Sequence, residues 1–137
     1  MKKEKEFDKL LSANHFHVTI FGSARIKRND PTYKLVYNLA KKIGERVIDV
    51  ITGGGPGIME AASFGHKEGK KKLYNGSHTI GLGIKLPHEQ KFNSGVNVSK
   101  VFDKFSNRLD NFMKLSNVIV VVPGGVGTML ELLYSWQ

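Results

Sequence analysis

The stretch VIDVITGGGPGIMEAASFGHKEG, from Val47 to Gly69, joins an apolar run, a cluster of glycines and a helical pattern without interruption. The apolar run predicts a strand that ends in glycines at Gly55. The residues from Gly57 to Gly69 predict a short helix that begins on that turn. A strand that leads through a tight turn into a helix is the repeating unit of α/β proteins.

The same order of elements recurs along the chain. We predict strands at 15–22, 47–55, 78–86, 96–102 and 118–123, and helices at 30–46, 57–69, 104–117 and from about 128. The helix at 30–46 has its own start signal, because Asp30 can cap it and Pro31 suits its first position. We therefore predict a single α/β domain over 1–137, with a charged extension at 1–14. Its architecture would be a three-layer, doubly wound parallel sheet of Rossmann-like type with about five strands.

Two of the predicted strands differ from the others in pattern. The strand at 96–102 alternates apolar and polar residues, which is typical of a sheet edge. The strand at 118–123 is apolar throughout, which predicts that both of its faces are covered.

The composition is that of an ordinary globular protein, with 40% hydrophobic and 24% charged residues. No apolar run has the length of a membrane span, and the N-terminus lacks the apolar core of a signal peptide. We therefore expect a cytoplasmic protein without membrane contact. The absence of cysteine excludes disulfides, thiol catalysis and thiolate metal sites.

The formal net charge of +9 favours anionic partners. The charge is dispersed, and its densest run, Lys70 to Lys72, lies where a helix should end, so it suits the helix dipole and solvation. Neither interleaved aromatic residues nor a reading motif accompanies the charge. Nucleic acid is therefore not the expected partner.

Three predicted strands end in small or glycine-rich turns, and ligands of such sheets bind beyond these carboxyl ends. A glycine loop followed by a helix N-terminus can bind an anion, so two such loops and a nearby arginine favour a phosphate-bearing ligand. The alternative is that the glycines serve only to make tight turns. Neither G-x-G-x-x-G nor G-x-x-x-x-G-K-[ST] occurs, which argues against an NAD enzyme and a P-loop NTPase. The candidate binding residues are Gly22, Ser23, Arg25, Gly53, Gly54, Gly55, Pro123, Gly124, Gly125, Gly127 and Thr128.

The motif GGGPGIMEAA at 53–62, followed some seventy residues later by PGGVGTMLE at 123–131, resembles the Lonely Guy (LOG) family. FGSAR at 21–25 is similar to the first strand end of that family. Members are cytokinin riboside 5′-monophosphate phosphoribohydrolases and related nucleotide 5′-monophosphate nucleosidases, many of them mislabelled as possible lysine decarboxylases. The resemblance runs from about His15 to the C-terminus.

The resemblance implies hydrolysis of the N-glycosidic bond of a nucleoside 5′-monophosphate, such as AMP or a cytokinin-type nucleotide. The phosphate would bind the N–H groups of 124–128, and Glu131, about one turn into the helix, would face the ribose. Its carboxylate could stabilise an oxocarbenium-like transition state or activate water. Arg108 matches the second catalytic residue of the family and could hold or protonate the leaving base, or clamp the phosphate. Glu60 could line the pocket or bind substrate.

The resemblance also implies a homodimer without cofactor or metal. A lysine decarboxylase would need a lysine that carries pyridoxal phosphate, and no lysine here has such a context. The histidines, at 15, 17, 66, 78 and 88, lack metal-ligand spacing such as H-E-x-x-H. We expect His15 and His17 to pack at a strand end or face solvent.

The chain departs from the family pattern at two places. Characterised phosphoribohydrolases carry Arg-Lys where this chain has Arg108-Leu109, and leucine cannot supply the charge of lysine. The family fold also continues after the P-G-G helix, so we expect the C-terminal part of the family fold to be missing. Related molybdenum-cofactor carrier proteins hold a phosphorylated pterin in similar loops without catalysis. A non-catalytic nucleotide or cofactor carrier is therefore the alternative function.

Overall fold

The computed structural model describes residues 15–71, 76–85 and 91–123. All the strands in these ranges pair in parallel in the order β4-β3-β2-β1-β5, which confirms the predicted α/β sheet. The helix predicted from about 128 and the extension at 1–14 lie outside the described residues. In chain order the elements are β1 (His17–Phe21), α1 (Pro31–Gly44), β2 (Asp49–Thr52), α2 (Ile58–Lys71), β3 (Thr79–Ile84), β4 (Val98–Phe102), α3 (Phe105–Leu115) and β5 (Val118–Val121).

Helices cover both faces of the sheet, as the three-layer prediction requires. Alternate residues of a strand point to opposite faces, so Val18 and Ile20 of β1 enter one core while Phe21 enters the other. The first core lies under α1 and α2 and includes Val36, Ala40, Val50, Ile58 and Ala61. The second core lies under α3 and includes Ile51, Ile80, Leu82, Leu109 and Phe112. No helix within the described ranges has the length and apolar character needed to cross a membrane.

The start of α1 follows the predicted capping signal. The Asp30 carboxylate accepts a hydrogen bond from the Thr32 amide at 2.8 Å, and Pro31 occupies the first turn. Such a cap satisfies a backbone donor that has no partner within the helix, and is worth about 1 kcal/mol.

The two outer strands of the described sheet, β4 and β5, allow a check of the predictions drawn from their sequence patterns. β4 lies at one edge, which confirms the prediction drawn from its alternation. The prediction that β5 is covered on both faces was wrong, because Val118 is 44% and Val121 is 37% exposed. Among the described strands β5 pairs only with β1, so it is the outer strand of the described sheet on the side opposite β4.

Helices α1 and α2 approach each other backbone to backbone. A Cβ atom on Gly65 would overlap the carbonyl oxygen of Tyr37, and one on Gly69 would overlap that of Lys41. From the opposite helix, a Cβ on Gly44 would overlap the carbonyl oxygen of His66. Because the opposing atoms belong to the backbone, no side-chain rotation can relieve the overlap. The glycines therefore set the distance between the two helices.

His66 is a fully buried polar residue of α2. Its Nε2–H donates to the Ile48 carbonyl at 2.7 Å, so its Nδ1 accepts from the Thr79 hydroxyl at 2.6 Å. Burial lowers the pKa of His66 from 6.5 to about 4, and the charge of Lys70 adds to this effect, although the Ile48 bond opposes it. The ring is therefore neutral in the folded protein near neutral pH.

We expect Gly65→Ala to reduce the free energy of unfolding by about 1–3 kcal/mol, because steric overlap outweighs the roughly 1 kcal/mol that alanine gains in helix propensity. Urea denaturation of the variant and the wild type measures the difference. Gly76→Ala is the matched control, since nothing lies within 4 Å of a Cβ there, and its effect should stay within about 0.5 kcal/mol. Equal stabilities of the two variants would contradict the backbone contact.

We expect His66 to make the fold less stable as the pH falls. Its folded-state pKa lies below the unfolded value, so the unfolded chain binds a proton that the folded chain excludes. The stability linked to His66 is complete above about pH 6.5 and is lost progressively towards pH 4. Between pH 7 and pH 5, the unfolding free energy of the wild type should fall by roughly 2 kcal/mol more than that of His66→Gln. Urea denaturation at both pH values measures this, and identical losses would refute it.

Candidate functional site

The strand order indicates where a ligand crevice is expected, at the carboxyl ends of β1 and β5. Successive strands from β1 to β4 add on one side of β1, whereas β5 lies on its other side. In proteins of this class, ligands bind at the carboxyl ends of the strands where the strand order reverses in this way. Gly22, Ser23 and Arg25 follow β1 at this point, and Pro123 follows β5.

The loop after β1 is fixed to the start of α2. The Ile58 amide donates to the Ser23 carbonyl at 3.0 Å. A side chain on Gly57, whose φ is +71°, would overlap the Ser23 and Ala24 backbone, and one on Gly22 would overlap Ile58. The glycines thus allow two strand-end loops to touch. Because the Ile58 amide is bound to the Ser23 carbonyl, the first amide of α2 already has a protein partner.

The glycine loop after β2 is held by groups on both sides. The Thr52 hydroxyl accepts from the Gly54 amide at 2.9 Å. The Asn93 side-chain amide donates to the Gly54 carbonyl at 3.1 Å and to the Gly55 carbonyl at 2.9 Å. These bonds hold the loop in place, and the Gly54 amide is already bound by the Thr52 hydroxyl. Sequence analysis missed Asn93, because it comes from the connection between β3 and β4 and has no local signal.

Arg108 brings a buried positive charge to the same end of the sheet. It lies on α3, and its Nε donates to the Leu82 carbonyl at 2.8 Å. Its guanidinium carbon lies 5.3 Å from the centre of the Phe112 ring. Its Nη2 lies so close to Gly53 that a Cβ there would overlap it. The structure thus brings together two residues that sequence analysis proposed separately, Gly53 and Arg108.

Glu60, in the first turn of α2, binds Arg28. The Arg28 Nε donates to Glu60 Oε1 at 3.0 Å, and the Arg28 guanidinium also lies over the Phe64 ring at 5.6 Å. The hydrogen bond and charge of Glu60 raise the pKa of Arg28. The Glu60 carboxylate therefore connects α2 to the segment before α1. Sequence analysis did not identify Arg28, which precedes α1 and matches no motif.

Of the remaining predicted residues, two are described and five are not. Pro123 is the last described residue. Arg25 is exposed, and its amide donates to the Ser23 hydroxyl at 3.1 Å, which closes a small turn after β1. The residues outside the described ranges are Gly124, Gly125, Gly127, Thr128 and Glu131. Their proposed roles remain predictions.

Comparison with protein families gives one match over most of the chain. The sequence model of the SLOG cluster4 family matches residues 15–137. The pyrimidine/purine nucleotide 5′-monophosphate nucleosidase of Escherichia coli K12 is 32% identical over 122 residues. That alignment covers 85% of this chain and 26% of the relative, so the chain spans about a quarter of the length of the relative.

Solved structures share the fold. The molybdenum cofactor carrier protein from Chlamydomonas reinhardtii superposes with a TM-score of 0.70 and 28% identity, over 90% of this chain and 71% of the other. The molybdenum cofactor binding protein from Rippkaea orientalis superposes with a TM-score of 0.70 and 24% identity, over 89% and 71%. The second likeness shows the fold alone.

A Cβ on Gly53 would overlap both the Arg108 guanidinium and the Met59 sulfur, which would lie 2.8 Å away. We expect Gly53→Ala to displace the buried guanidinium and to lower the free energy of unfolding by about 1–3 kcal/mol. Gly55→Ala is the matched control, because a Cβ there would meet only the flexible Met59 side chain, at 3.0 Å. Urea denaturation of both variants measures the difference. If Gly55→Ala costs as much as Gly53→Ala, the contact with Arg108 is not what makes Gly53 necessary.

Proposed function

The chain belongs to the SLOG cluster4 family, and from this membership we propose that it hydrolyses the N-glycosidic bond of a nucleoside 5′-monophosphate. The C1′–N bond breaks, a water oxygen bonds to C1′, and one water proton moves to the base nitrogen. The products are the free base and ribose 5-phosphate. The similarity to a nucleotide 5′-monophosphate nucleosidase supports this reaction. AMP and cytokinin-type nucleotides are the first substrates to test.

The observation that carries the proposal is the buried guanidinium of Arg108 beside Gly53, at the carboxyl ends of the strands. Burying a cation is costly unless other groups compensate for the lost hydration. The Leu82 carbonyl and the Phe112 ring are among the groups that compensate. The fixed positive charge can also attract an anionic ligand at the strand ends, and a phosphate ester has the required charge.

The surroundings of Arg108 favour binding over proton transfer as its role. A guanidinium does not release its proton in proteins, and here its Nε–H is already bound to Leu82. We therefore assign Arg108 the task of holding the phosphate or the leaving base with a fixed positive charge. The proton that the base needs then comes from water.

Glu131 is the proposed carboxylate of the reaction. Nothing else in the P-G-G-x-G-T-x-x-E motif can stabilise positive charge on the sugar or accept a proton from water. The reaction would therefore depend on an acid from the last glycine motif and a cation from α3, as the sequence resemblance implied.

A non-catalytic carrier is the second candidate. The likeness to the Chlamydomonas reinhardtii carrier protein favours it. Leu109 also favours it, because its side chain is buried in the core under α3, where a lysine charge has no place. Such a protein would bind a phosphorylated ligand and release it unchanged.

We also propose a cytoplasmic homodimer. Val118 and Val121 expose apolar side chains on opposite faces of β5, an outer strand of the described sheet, and a second copy could contact this strand. Light scattering after gel filtration gives the mass in solution, and a monomer at all concentrations would refute this part.

We expect Glu131→Gln to lower kcat for nucleotide hydrolysis by about 10²-fold or more, because the amide can neither accept a proton nor carry charge. Chromatography of reactions with a panel of nucleoside 5′-monophosphates measures the free base and ribose 5-phosphate. Glu68→Gln is the matched control, since Glu68 is a half-exposed acid of α2 paired only with Lys71 among the described residues, and its activity should equal that of the wild type.

The same assay separates the two functions. Release of base that Glu131→Gln abolishes supports the hydrolase. Release that survives in Glu131→Gln contradicts the assigned mechanism. Nucleotide binding without any release, seen as a thermal shift of the wild type, would select the carrier.

A further inference from the structure

Three histidines surround one buried carboxylate at the amino ends of the strands, on the opposite edge of the sheet from the glycine loops. Asp49 begins β2 and is fully buried. His17 begins β1, His15 lies two residues before it, and His78 directly precedes β3. Strands of four to six residues, at about 3.3 Å per residue, separate this cluster from the crevice by more than about 10 Å. The proposed hydrolase does not use it.

The donor atoms lie at distances typical of ligands around one metal ion. His15 Nδ1 is 3.3 Å and 3.2 Å from the two carboxylate oxygens of Asp49, and His78 Nδ1 is 3.6 Å from Oδ1. One donor atom from each of the three residues lies within 4.8 Å of the others. Tetrahedral Zn²⁺ with bonds of about 2.0–2.1 Å would place its ligand atoms about 3.3 Å apart.

Two ring nitrogens of the cluster are buried without a hydrogen-bond partner, namely His17 Nε2 and His78 Nδ1. The other nitrogen of His17, Nδ1, is 2.9 Å from the Leu115 carbonyl, which can only accept, so Nδ1 carries the proton. In the neutral ring, Nε2 then directs a lone pair towards Asp49 Oδ2, 3.0 Å away. Two lone pairs this close repel each other unless a cation or a proton lies between them.

Contacts with other residues orient the side chains around the carboxylate. The bond from His17 Nδ1–H to the Leu115 carbonyl fixes the tautomer of that ring beside Asp49. The Asp49 carboxylate is oriented in turn by the His78 amide, which donates to Oδ1 at 2.7 Å.

The cluster is open to ions from solvent. His15 and His78 stack on each other with ring centroids 5.5 Å apart, and their side chains are 31% and 32% exposed. Both rings turn Nδ1 towards the buried carboxylate. The cluster therefore lies close to the surface, on the side of these two partly exposed rings.

We propose that His15, Asp49 and His78 bind a divalent transition metal ion of the Zn²⁺ class. Imidazole nitrogens with one carboxylate are ligands that suit zinc and its neighbours. The ion would connect the amino ends of β1, β2 and β3, so its main effect would be on stability.

The test uses the untagged full chain, stripped with EDTA and dialysed. Zn²⁺ titrated into it should bind at one equivalent by calorimetry and raise Tm by roughly 5 °C or more at saturation. His15→Ala and His78→Ala each remove one ligand from a partly exposed position, and each should weaken binding by about tenfold or more. His88→Ala is the matched control, because it removes a histidine that is not one of the proposed ligands and should leave Zn²⁺ affinity unchanged.

Co²⁺ gives a second readout that needs no variant. Visible absorption typical of four-coordinate Co²⁺ with nitrogen and oxygen ligands should appear on the wild type, and Zn²⁺ should displace it. The proposal is overturned if the wild type binds neither ion, or if His15→Ala and His78→Ala bind Zn²⁺ as tightly as the wild type. Unchanged Zn²⁺ affinity of the two variants would place the metal elsewhere. Failure of the wild type to bind either ion would mean that hydrogen bonds alone hold the cluster together.

Discussion

Parallel pairing of every described strand is the constraint on which the rest of the structure depends. It brings all carboxyl ends to one edge of the sheet and all amino ends to the other. The first edge therefore collects the glycine loops and Arg108, which come from distant parts of the chain. The second edge collects Asp49 and its histidines for the same reason. Two separate polar centres arise because one sheet has two ends.

Sequence predicted best what depends on local chemistry. The Asp30 cap, the Pro31 start and the alternation of strand and helix each follow from a few neighbouring residues, and the structure confirms them. The position of β4 at an edge also followed from its own pattern. The burial of β5 did not, because an apolar run reports only that its residues favour burial. Whether a strand is covered depends on which neighbours the topology provides.

Sequence predicted less well what depends on contacts between distant segments. The glycines and Arg108 were proposed from motif resemblance, but the contact of Arg108 with Gly53 joins two elements on different parts of the chain. Asn93, which binds the Gly54 and Gly55 carbonyls, matches no motif. The histidines showed no ligand spacing because such spacing describes one helix or loop, whereas the histidines and Asp49 lie at or just before the starts of three different strands. Local periodicity carries no information about such pairs.

The backbone contact between α1 and α2 has a consequence for how the sequence can vary. In an ordinary core, a larger residue at one position can be offset by a smaller one opposite, since two side chains share the space. At Gly44, Gly65 and Gly69 the opposing atoms are carbonyl oxygens, which every amino acid has. No second substitution can therefore restore the space that a first one takes. A substitution at one of these glycines therefore cannot be offset by a second substitution. Only a wider separation of the two helices would make room for a side chain.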